Sequence, residues 1–418
     1  MKQSLRLASL AVIGLTLGLG AVSAVSLPRT AIAAESETVR PEVGKPLQAA
    51  QDLIKQQKYK DALAKLHELD SLSSLTPFEA GLAAQLKGLA AQGAGDYAGA
   101  ARSFETYLAS AKLPPEQSLR LTQAVASLYY QAKDYDKAAA WVNRYTADGG
   151  TDPQTRNLLA QSYYLAENYP EAAKALAEQI KSAEAGGHGA SEQQYQLLAN
   201  IYAKSNDQAG YRAAIEKLVA YYPKADYWSD LLRRTTARSG FADRLQLDAL
   251  RLSLAVGTLN ETADYLDLAQ LALQAGLPGE AKSALDKGYA KGVLGKGAEA
   301  DRHQRLRDLA NKKVTEDLKT IAATEQEAAA AKDGTGLVNT GLAYLGYGKP
   351  DKAVALIEQG IQKGGLKYPD DARLHLGLAY LAAGQKDKAA QTFKSIQGTD
   401  GSGDLARLWG LTAGHIAS

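Results

Sequence analysis

The chain has no cysteine. That absence removes disulfide bonds, thiolate zinc sites and cysteine nucleophiles together, and it excludes a bacterial lipoprotein lipidated on cysteine. Proline is scarce, with 12 in 418 residues, and aromatic residues other than tyrosine are scarcer still, with 4 Phe and 3 Trp. Runs of Val, Ile and Thr, which strands prefer, are nearly absent. Ala, Leu, Lys, Glu and Gln dominate instead, so the composition predicts an all-helical chain. Charge of one sign is not in excess either, since 48 Lys and Arg face 46 Asp and Glu. A nearly neutral chain gives no electrostatic case for binding nucleic acid. With 45% apolar residues and 38 Gly, the composition is that of a folded protein, neither collagen-like nor disordered.

Only one long apolar run occurs, and it lies at the start. Lys2 and Arg6 precede an apolar stretch to about Leu27, and Ala31 and Ala33 supply a small-x-small ending. That order describes a secretory signal peptide over residues 1–33, cut after Ala33, with a cut after Ala24 as the second choice. An uncleaved membrane anchor is the alternative. Cleavage would leave 45 basic against 46 acidic residues and remove the only Met. The expected location is the periplasm, with the mature chain spanning no membrane.

The rest of the chain repeats itself. DYAGAARSFETY (Asp96 to Tyr107), DYDKAAAWVNRY (Asp134 to Tyr145) and NYPEAAKALAEQ (Asn168 to Gln179) are near-copies, 38 and then 34 residues apart. Each follows a helical apolar pattern that holds a small residue. Counting from Gly88, the positions +9, +12 and +16 are Tyr97, Ala100 and Phe104. Ala126 gives Tyr135, Ala138 and Val142; Ala160 gives Tyr169, Ala172 and Leu176; Gly377 gives Lys386, Ala389 and Phe393. Small residues at two fixed places let paired helices approach closely, and the large residue is expected to fill the space towards the neighbouring pair. Polar tetrads such as QAKD and LAEN make the turns. Pro170, Pro278 and Pro350 fall at the start of second helices, where proline costs no helical hydrogen bond.

On these residues the chain resembles the tetratricopeptide-repeat family, whose period is near 34 residues. The Leu-Gly pair and later Tyr of its motif appear as Leu376, Gly377 and Tyr380, and its closing proline as Pro223. Weaker copies centre on Ala62, Tyr211, Ala281 and Ala353. Two stretches depart from the pattern: near WSDLLRRTTARSGF, where Arg244 stands where Ala belongs, and within residues 298–332, which read as helical without the motif. The resemblance implies an all-α, right-handed α-solenoid of about ten helical hairpins, each touching only its neighbours. The expected divisions are the signal peptide, a linker over 34–43, repeats over 44–223, degenerate repeats over 224–332, and C-terminal repeats and tail over 333–418.

No catalytic constellation emerges. The five His, at 67, 188, 303, 375 and 415, show no paired spacing, so neither a metal site nor a cofactor is expected. GVLGKGAEAD lacks the Lys-Ser/Thr pair and preceding strand of a phosphate loop. Acidic residues alternate with Lys at helical spacing, as on a solvated face. The sequence does hold one ordered face. At −3, +1 and +4 from each small residue lie Gln85, Leu89, Gln92; Gln123, Ser127, Tyr130; Asn157, Gln161, Tyr164; and Gln196, Asn200, Ala203. In the late repeats the same face reads Val338, Leu342, Leu345 and Leu374, Leu378, Leu381. In the resembled family this face lines the concave groove. It makes Gln85, Gln123, Tyr130, Asn157, Gln161, Tyr164, Gln196 and Asn200 candidate peptide-binding residues. The plain alternative is a solvated face rich in Gln. The reading that results is a non-catalytic scaffold for a protein or extended peptide in the cell envelope. The alternatives are an accessory subunit of an envelope transport or polysaccharide-export machine, and an enzyme with an unrecognised site.

Overall fold

The computed structural model describes residues 39–413 except Ser73 and residues 187–188; the signal-peptide reading, His188 and His415 fall outside them. Among the described residues there are twenty α-helices and no strand. The chain forms two compact units, one of residues up to 134 with 147–150, the other of 135–146 and the residues from 151 on.

The first unit holds α1 (Pro41–Lys55), α2 (Tyr59–His67), α3 (Pro77–Gly93), α4 (Tyr97–Ser110) and α5 (Pro115–Gln131). Helix α1 begins inside the stretch read as linker, because Arg40 is fastened to α3. The Arg40 backbone N, Nε and Nη2 donate to the inaccessible Glu79 carboxylate at 3.0, 3.0 and 2.6 Å. Glu79 also completes a capping box with Thr76, and the Arg40 bond is the main reason its pKa falls to about 2.

The hairpin logic is visible in the packing. A Cβ added to Gly88 would sit 2.5 Å from the Phe104 ring, one added to Gly377 would sit 2.3 Å from Phe393, and one added to Gly341 would sit 2.6 Å from Ile357. The large residue therefore packs onto the small residue of its own hairpin, and Phe393 also stacks on Trp409 beyond that hairpin, with ring centroids 6.5 Å apart. Tyr97, which opens α4, is 36% exposed. The turns also share one device. After the first helix a single residue turns left-handed, at Gln57, Gly95, Lys133, Glu167, Asn206, Gly276, Gly348 and Gly384. The next backbone N–H then reaches back five residues, as from Asp96 to the Ala91 carbonyl at 2.9 Å and from Asn168 to Tyr163 at 2.8 Å. Ala138 is fully buried whereas Ala140 is exposed. Ala138→Leu should therefore cost about 1–3 kcal/mol by overpacking, and Ala140→Leu far less; equal denaturation midpoints would refute the register.

The second unit comprises α6 (Tyr135–Ala147), α7 (Pro153–Leu165), α8 (Tyr169–Ala185), α9 (Glu192–Lys204), α10 (Gln208–Tyr221), α11 (Ala225–Thr236), α12 (Gln246–Ala255), α13 (Thr262–Gln274) and α14 (Pro278–Ala290). It continues with α15 (Ala300–Ala330), α16 (Thr335–Gly346), α17 (Pro350–Lys363), α18 (Pro369–Ala382), α19 (Lys386–Lys394) and α20 (Ser402–Ala413). The stretch without the motif is one helix of 31 residues, not a pair. It contains neither Gly nor Pro, so nothing in it makes a turn, and it runs for about 46 Å.

This unit does not behave as an open array in which each pair meets only its neighbours. Its last helices return to its middle. Arg244, the residue that breaks the motif, donates to Asp371 at 2.8 and 3.1 Å and also to Asp400. Arg238 meets Asp404 at 2.9 Å, Arg407 meets Glu216 at 2.5 Å, and the Ala242 N–H donates to the Asp400 carbonyl at 2.8 Å. Beneath this seam, Arg251 of α12 donates two bonds to Glu280 of α14 (2.7 and 2.6 Å) and one to Asp248 (2.6 Å). Asp248 also accepts from His375 Nε2 of α18 at 3.1 Å. One apolar core runs through the unit from Ala160 to Trp409.

Candidate partner-binding face

The candidate side chains sit on first helices of successive pairs. In the first unit, Gln85 on α3 and Gln123 and Tyr130 on α5 are partly exposed, and Leu89 beside Gln85 is an exposed apolar residue. In the second unit, Asn157 on α7 is exposed, while Gln161 and Tyr164 on α7 and Gln196 and Asn200 on α9 are half-buried.

Two contacts fix how the faces of the second unit line up. The Tyr164 hydroxyl donates to Asn200 Oδ1 at 3.1 Å, joining α7 to α9. Gln196 Nε2 donates to the Tyr227 hydroxyl at 2.5 Å, joining α9 to α11. Tyr227 in turn donates to Glu192, which Lys224 reaches at 2.6 Å. Burial, and next the Glu192 carboxylate, push the Tyr227 pKa up to about 12, so its hydroxyl stays protonated. The three helices thus present one polar strip along their shared side. Asn200 spends one lone pair of Oδ1 and Gln196 one N–H inside the protein, so each amide keeps its remaining donors and acceptors for a ligand. Tyr164 is also engaged, edge-on to Tyr169 with ring centroids 5.9 Å apart. Tyr227 belongs to the strip but escapes the sequence pattern, because α11 lies in the degenerate pair.

The late repeats correct the reading of an apolar groove. Val338, Leu342, Leu374 and Leu378 are buried, so that face is not free to line an open groove. Of the histidines, His375 pairs with Asp248, His67 contacts the Leu63 carbonyl at 2.7 Å, and the buried His303 accepts from the Gly295 N–H at 3.2 Å. Among the described residues no three metal-ligating side chains cluster. No helix among them is long and apolar enough to cross a membrane.

Residues 94–179 match the family described as anaphase-promoting complex, cyclosome, subunit 3, and residues 338–404 match the tetratricopeptide-repeat family. The second segment carries the Gly341–Ile357 and Gly377–Phe393 contacts described above, and the first carries Phe104 and the buried Ala138 and Ala172; over these segments the chain is built of tetratricopeptide-type repeats. Repeats of this kind generally mediate protein–protein contacts and are not catalytic. No curated relative matches the sequence. Similar solved structures include a tetratricopeptide-repeat protein from Parabacteroides merdae, at 12% identity over 79% of this chain and 98% of that one, with a TM-score of 0.28. The C-terminal part of a repeat protein from Cytophaga hutchinsonii is 14% identical over 78% of this chain and 98% of its own, at a TM-score of 0.27. The TPR2AB domain of yeast Sti1, in complex with an HSP90 peptide, is 15% identical over 71% and 99%, at 0.24. At these scores none of the three bears on what this chain does.

Proposed function

We propose that this protein is a non-catalytic scaffold of the bacterial cell envelope that holds a protein or an extended peptide on the first-helix face of its early repeats. The observation that carries the reading is the polar strip of α7, α9 and α11, aligned by the Tyr164–Asn200 and Gln196–Tyr227 bonds. An extended peptide presents unpaired N–H and C=O groups along its length. Side-chain amides complement both kinds of group whatever the peptide's sequence. Each such bond contributes about 0.5–1.5 kcal/mol net, so affinity builds from several and no single amide dominates. The N-terminal signal-like segment supports the envelope location.

Asn157→Ala combined with Gln161→Ala should weaken capture of the partner from envelope extract several-fold and leave the melting temperature unchanged. Lys137→Ala with Lys174→Ala, on exposed positions of α6 and α8, should leave capture intact. The reverse pattern would move the binding surface to the second helices and sink the reading.

A further inference from the structure

The position rule that defines the polar strip also applies to α13, where the small residue is Ala269 and the face positions −3 and +1 are Leu266 and Gln270. These two residues line a cavity of about 230 Å³ whose opposite wall is Arg302, Arg305, Leu306 and Leu309 of α15. The four α15 residues are spaced i, i+3, i+4, i+7 and so form one face of that helix. The cleft thus has leucines on both walls and two guanidiniums along one side. Its lining includes no acidic residue. Leu309 is 45% exposed, a large apolar side chain kept in water at the edge of the cleft. Arg302 has only the exposed Glu299 at 3.3 Å, a pair worth little in water. The nearby Asp308 is engaged by Gln304 at 2.9 Å. The volume lies below the range of about 300–1,000 Å³ typical of small-molecule sites, so it suits a side chain better than a cofactor. A larger cavity, about 520 Å³ beside Asp286, is less open to a charged ligand, because Lys282 and Arg307 already pair with that carboxylate at 2.5 and 2.6 Å.

We infer that the cleft between α13 and α15 docks an acidic peptide segment through one bulky apolar side chain. The apolar side chain enters between Leu266, Leu306 and Leu309. A carboxylate within a residue or two of it pairs with Arg302 and Arg305, whose planar donors suit bidentate recognition. Gln270 is placed to bond the peptide backbone. The inference rests on the peptide-binding reading and adds to it a second, chemically distinct subsite: the polar strip accepts any backbone, whereas this cleft selects sequence.

The test uses the full chain and a fluorescein-labelled peptide in which a central Leu-Phe pair is flanked on each side by Asp-Glu. Anisotropy should report saturable binding that weakens as salt rises. Leu309→Asp and Arg305→Glu should each weaken it about tenfold or more. Leu318→Asp, at a 51% exposed leucine of the same helix outside the cleft, should not, and circular dichroism should stay unchanged for all three variants. A peptide with Lys-Lys in place of each Asp-Glu should fail to bind. Absence of binding, or binding indifferent to Leu309 and Arg305, overturns the inference. Binding that instead falls with Asn157→Ala and Gln161→Ala overturns it too, but leaves the peptide-binding reading standing. Self-association of the chain abolished by Leu309→Asp would put a second copy in the cleft and likewise refute the peptide.

Discussion

Arg251→Met should destabilise the C-terminal unit by about 3–5 kcal/mol, the usual consequence of removing one partner from a buried ion cluster. The guanidinium holds Glu280 with two bonds and Asp248 with a third, and the Asp248 side chain is only 4% exposed. Methionine fills much of the volume but leaves Glu280 without its bidentate partner and Asp248 with His375 alone. Urea denaturation followed by tryptophan fluorescence reads this unit selectively, because Trp141, Trp228 and Trp409 all lie in it. A loss below about 1 kcal/mol would mean that water reaches the cluster and screens it. Acid supplies a second readout. Burial alone would raise the Asp248 pKa, but the charges of His375 and Arg251 outweigh it and hold the carboxyl below its usual range. A carboxyl depressed in the folded state contributes stability above its unfolded pKa of about 3.9, and that contribution is lost as pH falls through the folded value. The wild-type protein should therefore lose stability steeply below about pH 4, and Arg251→Met less steeply. Asp371 and Glu216 act with the opposite sign: burial raises both, so their protonation at falling pH favours the fold.

Glycine-to-alanine exchange should have opposite effects at two places in the same unit. At Gly334 an added Cβ would lie 1.8 Å from the Gly360 carbonyl oxygen and 2.6 Å from its carbon. Those are backbone atoms of α17 against the residue that caps α16, and no side chain can rotate aside to make room. Gly334→Ala should cost about 3 kcal/mol or more. At Gly410, inside α20, an added Cβ meets nothing within 4 Å. Gly410→Ala should stabilise by about 0.5–1 kcal/mol, because alanine has less backbone freedom to lose. Two midpoints that move in the same direction would disprove this account of the packing.

The hairpins were legible in the sequence because their determinants are local. Gly88 and Phe104 stand sixteen residues apart and touch, and so do Gly377 and Phe393. The helix faces followed from the same spacing, which is why Tyr164 and Asn200, named from sequence, do meet. Closure was not legible, because it depends on pairs such as Arg244 with Asp371 and Arg407 with Glu216, separated by 127 and 191 residues. Repeat spacing carries no information about which distant surfaces will meet. Arg244 did announce itself as a fault in the motif, and faults of this kind mark the contacts that regular repeats cannot make. The single helix α15 was readable in principle from its lack of Gly and Pro, but the 34-residue period suggested a pair. Tyr227 was missed for the related reason that its helix pair had lost the reference residue.

The return of α20 to α10 and α12 also sets the order in which the chain can finish folding. An array of neighbours can settle as it emerges and fray from either end. Here Arg238 and Arg244 must wait for Asp400 and Asp404, more than 150 residues later, and contacts so distant in sequence slow the search for the native state. Until residues 400–413 are made, Arg238 and Arg244 lack these partners and α10 and α12 lack the cover of α20. The stretch from α10 to α12 is therefore the part most in need of protection during synthesis, and α20 works as the latch.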